Sequence, residues 1–239
     1  MTARSGAAVS IVLASVLACQ ARREAPKPGV TRSSPSSSSS SSIAPPEVAP
    51  EPRQGMSWIP GGPLVTGTPE DSLPRIADEE MPGEQVILKG FYIDVFPYPN
   101  EEGAIPLSNV TRDAAAALCA ERGKRLCSEL EWERACKGPQ NRRYEYGEVY
   151  RAERCGTGAQ PMMRPTGIRV ACRSDFGVRD MHGGAFEWTS SPWGRGSTTG
   201  LAALRGGDGL QGDVMGRCAN AVPGRPDQGT ERFTRQPGR

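Results

Sequence analysis

Apolar residues in this chain come in short runs cut by glycine and proline, with few long periodic blocks. Trp58-Ile59, Leu64-Val65-Thr66, Val86-Ile87-Leu88 and Phe91-Tyr92-Ile93 each read as a brief strand, and Pro60-Gly61-Gly62 as a turn between two of them. A helical period emerges across residues 110–138. Thr111 is a natural N-cap, Asp113 suits the first turn, and Ala114 to Ala117 are strong helix formers. Leu118 and Cys119 fall three and four residues after Ala115, giving one buried face, and Gly123 stops the helix. A second helix opens at Ser128, with Glu131 at capping-box spacing, carries Leu130, Trp132, Ala135 and Cys136, and stops at Gly138. Beyond Gly138 the pattern predicts no further helix. The expected fold is therefore α+β: one domain over residues 55–239 with two helices, short strands and long loops.

The first 54 residues follow a different pattern. After Arg4, residues 7–18 form an apolar run broken only by Ser10 and Ser15, too short to span a bilayer but suited to a signal peptide over residues 1–18. Val16-Leu17-Ala18-Cys19 resembles a bacterial lipobox, which makes Cys19 the expected lipidation site and a bacterial membrane the expected location, periplasmic or outer-surface. Residues 20–54 hold seven prolines and the unbroken serines 36–42, with almost nothing to bury. Such composition predicts a disordered tether between the lipid and the domain.

Cysteine usage agrees with export. Of seven cysteines, setting Cys19 aside leaves Cys119, Cys127, Cys136, Cys155, Cys172 and Cys218. An even set in an exported chain reads as a disulfide framework whose pairing the spacing leaves open. No C-x-x-C occurs and His182 is the sole histidine, which argues against a zinc site and against a histidine-based triad elsewhere. Charge changes little. Residues 1–54 carry six Lys/Arg against three Asp/Glu, so 23 against 24 remain in the domain, and no basic stripe offers itself to nucleic acid.

Three constellations invite chemical readings. Gly207, Gly209 and Gly212 spell G-x-G-x-x-G, but Asp213-Val214-Met215-Gly216 is poor material for the helix a dinucleotide loop requires, so this is read as a turn. Glu129 and Glu133 share a helix face at i, i+4, and read as solvated glutamates between arginines. Asp175, Asp180 and Glu187, with backbone carbonyls around residues 183–185, offer the oxygen ligands calcium prefers, without EF-hand spacing. Trp188 and Trp193 fit core packing at least as well as a cleft.

Several stretches recur in a familiar order: Met56-Ser57-Trp58-Ile59-Pro60-Gly61-Gly62, Phe91-Tyr92-Ile93-Asp94, Gly123-Lys124-Arg125-Leu126, Glu129-Leu130-Glu131-Trp132-Glu133-Arg134-Ala135-Cys136, Phe186-Glu187-Trp188-Thr189 and Leu204-Arg205-Gly206-Gly207. From about Gly55 to Cys218 the chain resembles the formylglycine-generating enzyme (sulfatase-modifying factor) domain family, whose fold is a variant of the C-type lectin fold. The resemblance implies oxidation of a sulfatase cysteine to formylglycine, with oxygen as oxidant and copper held by two cysteines shortly after the Arg-Gly-Gly turn. In this chain no thiol follows Arg205-Gly206-Gly207 until Cys218, which matches the family's structural cysteine, bonded to the one matching Cys136. No residue is then expected to be catalytic, and copper is not expected, because soft sulfur ligands are what hold Cu(I).

Other departures agree. The family's calcium stretch Gly-Asn-(Val/Ala)-Trp-Glu-Trp stands here as Gly183-Gly184-Ala185-Phe186-Glu187-Trp188, leaving Ala185 and Glu187 as implied calcium ligands without the asparagine. A second family calcium site has an asparagine after a cysteine, where this chain has Gly156 after Cys155. The family's closing Gly-Phe-Arg-Cys strand, whose cysteine joins the one matching Cys119, has no match here. The expected pairs are Cys136–Cys218, Cys155–Cys172 and Cys119–Cys127. The expected molecule is a lipid-anchored, non-catalytic binding or structural module with an unnamed protein or small-molecule ligand. The competing expectation is a copper-dependent formylglycine-forming oxidase, or altered chemistry on the same scaffold.

Overall fold

Trp58 lies opposite Tyr92 and Ile59 opposite Phe91, so two of the short apolar runs read from sequence close on each other as antiparallel neighbours. The computed structural model describes residues 19–21, 49–158, 163–195, 199–207 and 212–230. In chain order the elements are β1 (Cys19–Ala21), β2 (Met56–Ile59), β3 (Gly62–Gly67), β4 (Pro82–Leu88), β5 (Phe91–Asp94), α1 (Arg112–Glu121), β6 (Lys124–Leu126), α2 (Glu129–Lys137), α3 (Ala152–Cys155), β7 (Phe186–Pro192), β8 (Ala202–Gly206), α4 (Gly212–Met215) and β9 (Val222–Gly224). They form an antiparallel sheet ordered β2-β5-β1-β6, the hairpin β3-β4, and a three-stranded sheet β7-β8-β9.

Both expected helices form with their expected caps. Thr111 accepts a hydrogen bond from the Ala114 amide at 3.2 Å, and Ala115 and Cys119 form the buried face of α1. Ser128 and Glu131 close a full capping box on α2, and Gly138 ends it at φ 67°, where a side chain would be strained. Two single turns of helix lie beyond Gly138, where the pattern predicted none. One of them is α4, inside the glycine-rich stretch judged poor helix material; it is held by the Gly216 amide on the Gly212 carbonyl at 3.0 Å, beside the bonded Cys218.

β1 precedes the Ser/Pro-rich stretch and pairs with β5 and β6, Cys19 opposite Leu126. That stretch therefore connects two strands of one sheet, a connection the tether reading did not anticipate.

Strand alternation sorts the interior into two main clusters. On one side Cys119, Leu126, Phe186, Trp188 and Leu204 pack together against α1. On the other, Ile59, Phe91, Ile93, Cys127, Trp132, Cys136 and Cys218 pack around α2. Two disulfides staple the second side: Cys136–Cys218, across 82 residues, and Cys155–Cys172, across 17.

The pair Cys119–Cys127 does not form. Leu126 and Cys127 are consecutive, so they face opposite sides, and only the Leu126 side meets α1 and Cys119. Cys127 is a buried free thiol, while Cys119 is disulfide-bonded to a partner outside the described side chains.

The glutamates of α2 also depart from expectation. Glu129 is 8% exposed and Glu133 is fully buried, because cations from three directions meet them. Glu133 receives Lys137 and Arg205, each at 2.8 Å, and the Gly67 amide at 2.6 Å; Glu129 receives Arg195 at 2.9 Å.

Candidate functional site

Phe186 and Trp188 face the α1 side of β7, so Glu187 between them must face α2. There its Oε2 accepts the Trp132 indole N–H at 2.9 Å. No cation reaches this carboxylate among the described residues. Burial, with Glu145 and Asp180 adding repulsion, pushes its pKa up to about 8 despite the indole bond.

Asp180 approaches from the loop preceding β7. Its Oδ2 accepts the Gly167 amide at 2.6 Å, yet burial still raises its pKa to about 6. Asp180, Glu187, Ala185 and the Gly183-Gly184 turn line one cavity of about 20 Å³, with Arg164 and Arg169 on its rim. That volume holds one water-sized sphere, and hence one ion.

Glycines make the closeness possible. Gly183 adopts φ 80°, and a Cβ there would lie 1.7 Å from the Cys155 carbonyl oxygen. Its amide donates to the Gly207 carbonyl at 3.0 Å. Gly206 adopts φ 75°, with a hypothetical Cβ 2.6 Å from the Met181 carbonyl. The Arg-Gly-Gly turn thus braces the 181–185 loop, a packing task in place of phosphate binding. Gly209 lies outside the described residues.

The fit to a hard cation rests on this donor set: a buried carboxylate held above neutrality and a half-buried one converge on a cavity of ionic size. Asp180 and Glu187 would supply carboxylate oxygens and the Gly183–Ala185 backbone carbonyl oxygens. Ala185 and Glu187, the ligands implied by sequence, do stand together. Asp175 does not join them; it pairs with Arg142 at 2.8 Å. Trp188 and Trp193 are both buried, at 1% and 9% exposure, and neither lines the cavity at Asp180 and Glu187.

Sequence reasoning missed Glu145. It is 1% exposed, and its Oε1 lies 3.0 Å from His182 Nδ1 and 3.2 Å from Cys155 Sγ. No local spacing marks it, because its partners lie 10 and 37 residues away.

Sulfur is used up by architecture. Cys136, Cys155, Cys172 and Cys218 are in mutual disulfides, Cys119 is bonded, and Cys127, the free thiol among the described residues, is fully buried. Burial pushes the Cys127 thiol well above its ordinary pKa, which disfavours the thiolate a soft metal needs. Cys218 is further fixed from above: Arg205 donates to the carbonyls of Cys218, Ala219 and Asn220 at 3.0, 3.1 and 3.2 Å.

Comparison with known proteins gives these features a lineage. The chain is 26% identical to hercynine oxygenase of Mycolicibacterium smegmatis over 193 residues, 56% of this chain and 45% of that protein. It is 29% identical to formylglycine-generating enzyme of Bos taurus over 102 residues, 37% of this chain and 27% of that one. It is 30% identical to inactive C-alpha-formylglycine-generating enzyme 2 of Bos taurus over 107 residues, 39% of this chain and 35% of that one. The chain thus spans less than half the length of the curated relatives it matches. Among solved structures, PvdO from Pseudomonas aeruginosa superposes with a TM-score of 0.56 at 20% identity, over 73% of this chain and 90% of that one. The short strands, paired helices and braced loops are those of the C-type lectin-like fold. Residues 98–233 match the model of the sulfatase-modifying factor enzyme 1-like domain, and with more than half its length so matched the chain belongs to that family.

Proposed function

We propose that this chain is an exported, lipid-anchored binding module on a sulfatase-modifying factor scaffold, without the oxidative chemistry of its catalytic relatives. The observation that carries this reading is the state of its sulfur. Copper-thiolate oxidation needs two neighbouring thiols, and Cys218, the cysteine that follows the Arg-Gly-Gly turn, is bonded to Cys136. Buried Cys127 alone cannot replace a pair. An iron oxygenase centre built on two histidines and a carboxylate has no basis either, since the chain has one histidine, packed against Glu145.

The cavity at Asp180 and Glu187 takes calcium in this reading. The ion would supply fixed positive charge between the two carboxylates and lock the 181–185 loop, whose Arg164 and Arg169 rim then faces the ligand. Export is supported by the apolar leader and two disulfides, which persist in oxidising compartments. The lipid and the Cys119 bond compete for the Cys19 sulfur, since the other cysteines are in mutual disulfides or, as Cys127, free; this reading gives that sulfur to the lipid.

A copper-dependent oxidase is the competing reading, favoured by the similarity to formylglycine-generating enzyme. The purified chain, supplied with copper, oxygen and a peptide bearing a sulfatase cysteine motif, is expected to form no formylglycine. Turnover would overturn the binding-module reading.

A further inference from the structure

Beside the cavity, on the far side of His182, lies a cluster that the proposed function does not use. The Glu145 carboxylate and the two sulfurs of Cys155 and Cys172 lie within 4.8 Å of one another, all buried. The two sulfurs are bonded to each other, and each has an oxygen beside it. Glu145 Oε1 sits 3.2 Å from Cys155 Sγ, and the His182 carbonyl oxygen sits 3.8 Å from Cys172 Sγ. Each sulfur therefore faces a hydrogen-bond acceptor. A disulfide sulfur has no proton to give, so the two oxygens receive nothing from it; a thiol would donate to each, and a cation would bind sulfur and carboxylate together.

Supporting groups fix this arrangement. Cys155 closes α3, and the Gly183 backbone packs so tightly on its carbonyl that no side chain fits between. Glu145 is oriented by His182 Nδ1 at 3.0 Å and by the Met181 amide at 3.4 Å. His182 Nε2 is buried with no partner, and the ring also walls the cavity of Asp180 and Glu187.

We propose that Cys155, Cys172 and Glu145 form a redox-gated site for a thiophilic divalent cation of the zinc class. The intact disulfide closes the site and a dithiol reductant opens it. In the opening step the dithiol gives two electrons and two protons to the Cys155–Cys172 bond and itself closes into a disulfide. Metal binding then displaces both thiol protons to water, and Cys155 and Cys172 ligate as thiolates. Two sulfurs at about 2.3 Å from a tetrahedral ion stand roughly 3.8 Å apart, so the bonded sulfurs must part on reduction before the ion enters. Glu145 is the third ligand, and water takes the open fourth position. His182 is a positioning residue: it holds Glu145 as carboxylates hold zinc-bound histidines, with the roles exchanged. Spacing rules pass over this site because its ligands come from three separate turns of the chain.

The test uses the purified full chain and cobalt(II) as a coloured stand-in for zinc. Reduction by a phosphine, which takes up the oxygen of one water as the disulfide gains two hydrogens, is followed by anaerobic titration. The reduced chain is expected to show a thiolate-to-cobalt charge-transfer band saturating at one equivalent and bleached by zinc, and the oxidised chain to show none. E145Q, which keeps the disulfide and the fold, is expected to weaken cobalt binding about tenfold or more. C155A/C172A is expected to abolish the band while Cys119, Cys127, Cys136 and Cys218 remain. A band that survives in C155A/C172A, an affinity unchanged by E145Q, or no band in the reduced chain would each overturn the proposal. None of these outcomes bears on formylglycine formation or on calcium.

Discussion

Glu187 and Arg205 stand directly opposite each other in the β7–β8 register, on the same face, yet they form no ion pair. Arg205 turns to Glu133 at 2.8 Å and Glu129 at 3.3 Å, and to three carbonyls of the 218–220 turn. Glu187 is left to the Trp132 indole and the ion-sized cavity. One face thus separates an arginine paired with carboxylates from a carboxylate that no cation reaches among the described residues.

The structural charge should be the more costly to remove. Arg205 and Glu133 are both fully buried, so deleting either leaves its partner away from water and short of its best counter-charge. R205A and E133A are each expected to lower unfolding free energy by about 3–5 kcal/mol in denaturant titrations. R205K is expected to rescue little, since one ammonium cannot serve two carboxylates and three carbonyls with the geometry of a planar fork. A loss under 1 kcal/mol in R205A would contradict this account.

The long disulfide gives a second expectation. Cys136–Cys218 closes a loop of 82 residues, so C136A/C218A is expected to cost roughly 3–5 kcal/mol by the chain-entropy argument. Cys155–Cys172 closes only 17 and is expected to cost less. Peptide mapping without reduction should recover both pairs and an alkylatable Cys127 only after unfolding.

Glu187 sets the pH behaviour. Its folded pKa, about 8, lies above its ordinary 4.5, so the folded state holds the proton more tightly than the unfolded one. In cation-free protein this contribution to stability is complete below pH 4.5 and is lost as pH rises through 8. Asp180 acts with the same sign between 3.8 and about 6. Melting curves in a chelator should therefore fall from about pH 4.5 to 8, and E187Q should flatten the arm from 6 to 8 and leave only the share of Asp180 below 6. Calcium is expected to restore stability most at pH 8, where it displaces least proton, and to do nothing for E187Q. Wild-type melting indifferent to calcium at pH 8 would remove the ion from the proposed function.

These contrasts explain what the sequence made legible. Thr111, Ser128 and Glu131 announce their helices because caps act within three or four residues, and β2 to β5 announce themselves through short apolar runs. Glu133 read as solvated because Arg205, which meets it alongside Lys137, comes from 72 residues away. Cys119 and Cys127 looked like partners until β6 placed consecutive residues on opposite faces. Glu187 and Ala185 were found through family resemblance, whereas the Glu145 cluster, assembled wholly from distant turns, had no local signature.

Under the proposed function, Cys19 decides where the protein resides. A thioether to lipid consumes its sulfur, so a lipid anchor and a disulfide at Cys19 are exclusive uses of one atom. Under the proposed function, cells expressing the chain incorporate labelled palmitate, C19A loses the label, and the protein moves from the membrane to the soluble exported fraction. Because Cys19 lies opposite Leu126 in the sheet, C19A should also expose any dependence of β6 on its neighbour, read as faster amide exchange at residues 124–126. Recovery of Cys19 joined to Cys119 in unreduced peptides, with no label in the wild-type chain, would overturn the anchor while leaving the domain's fold and the proposal of calcium at Glu187 untouched.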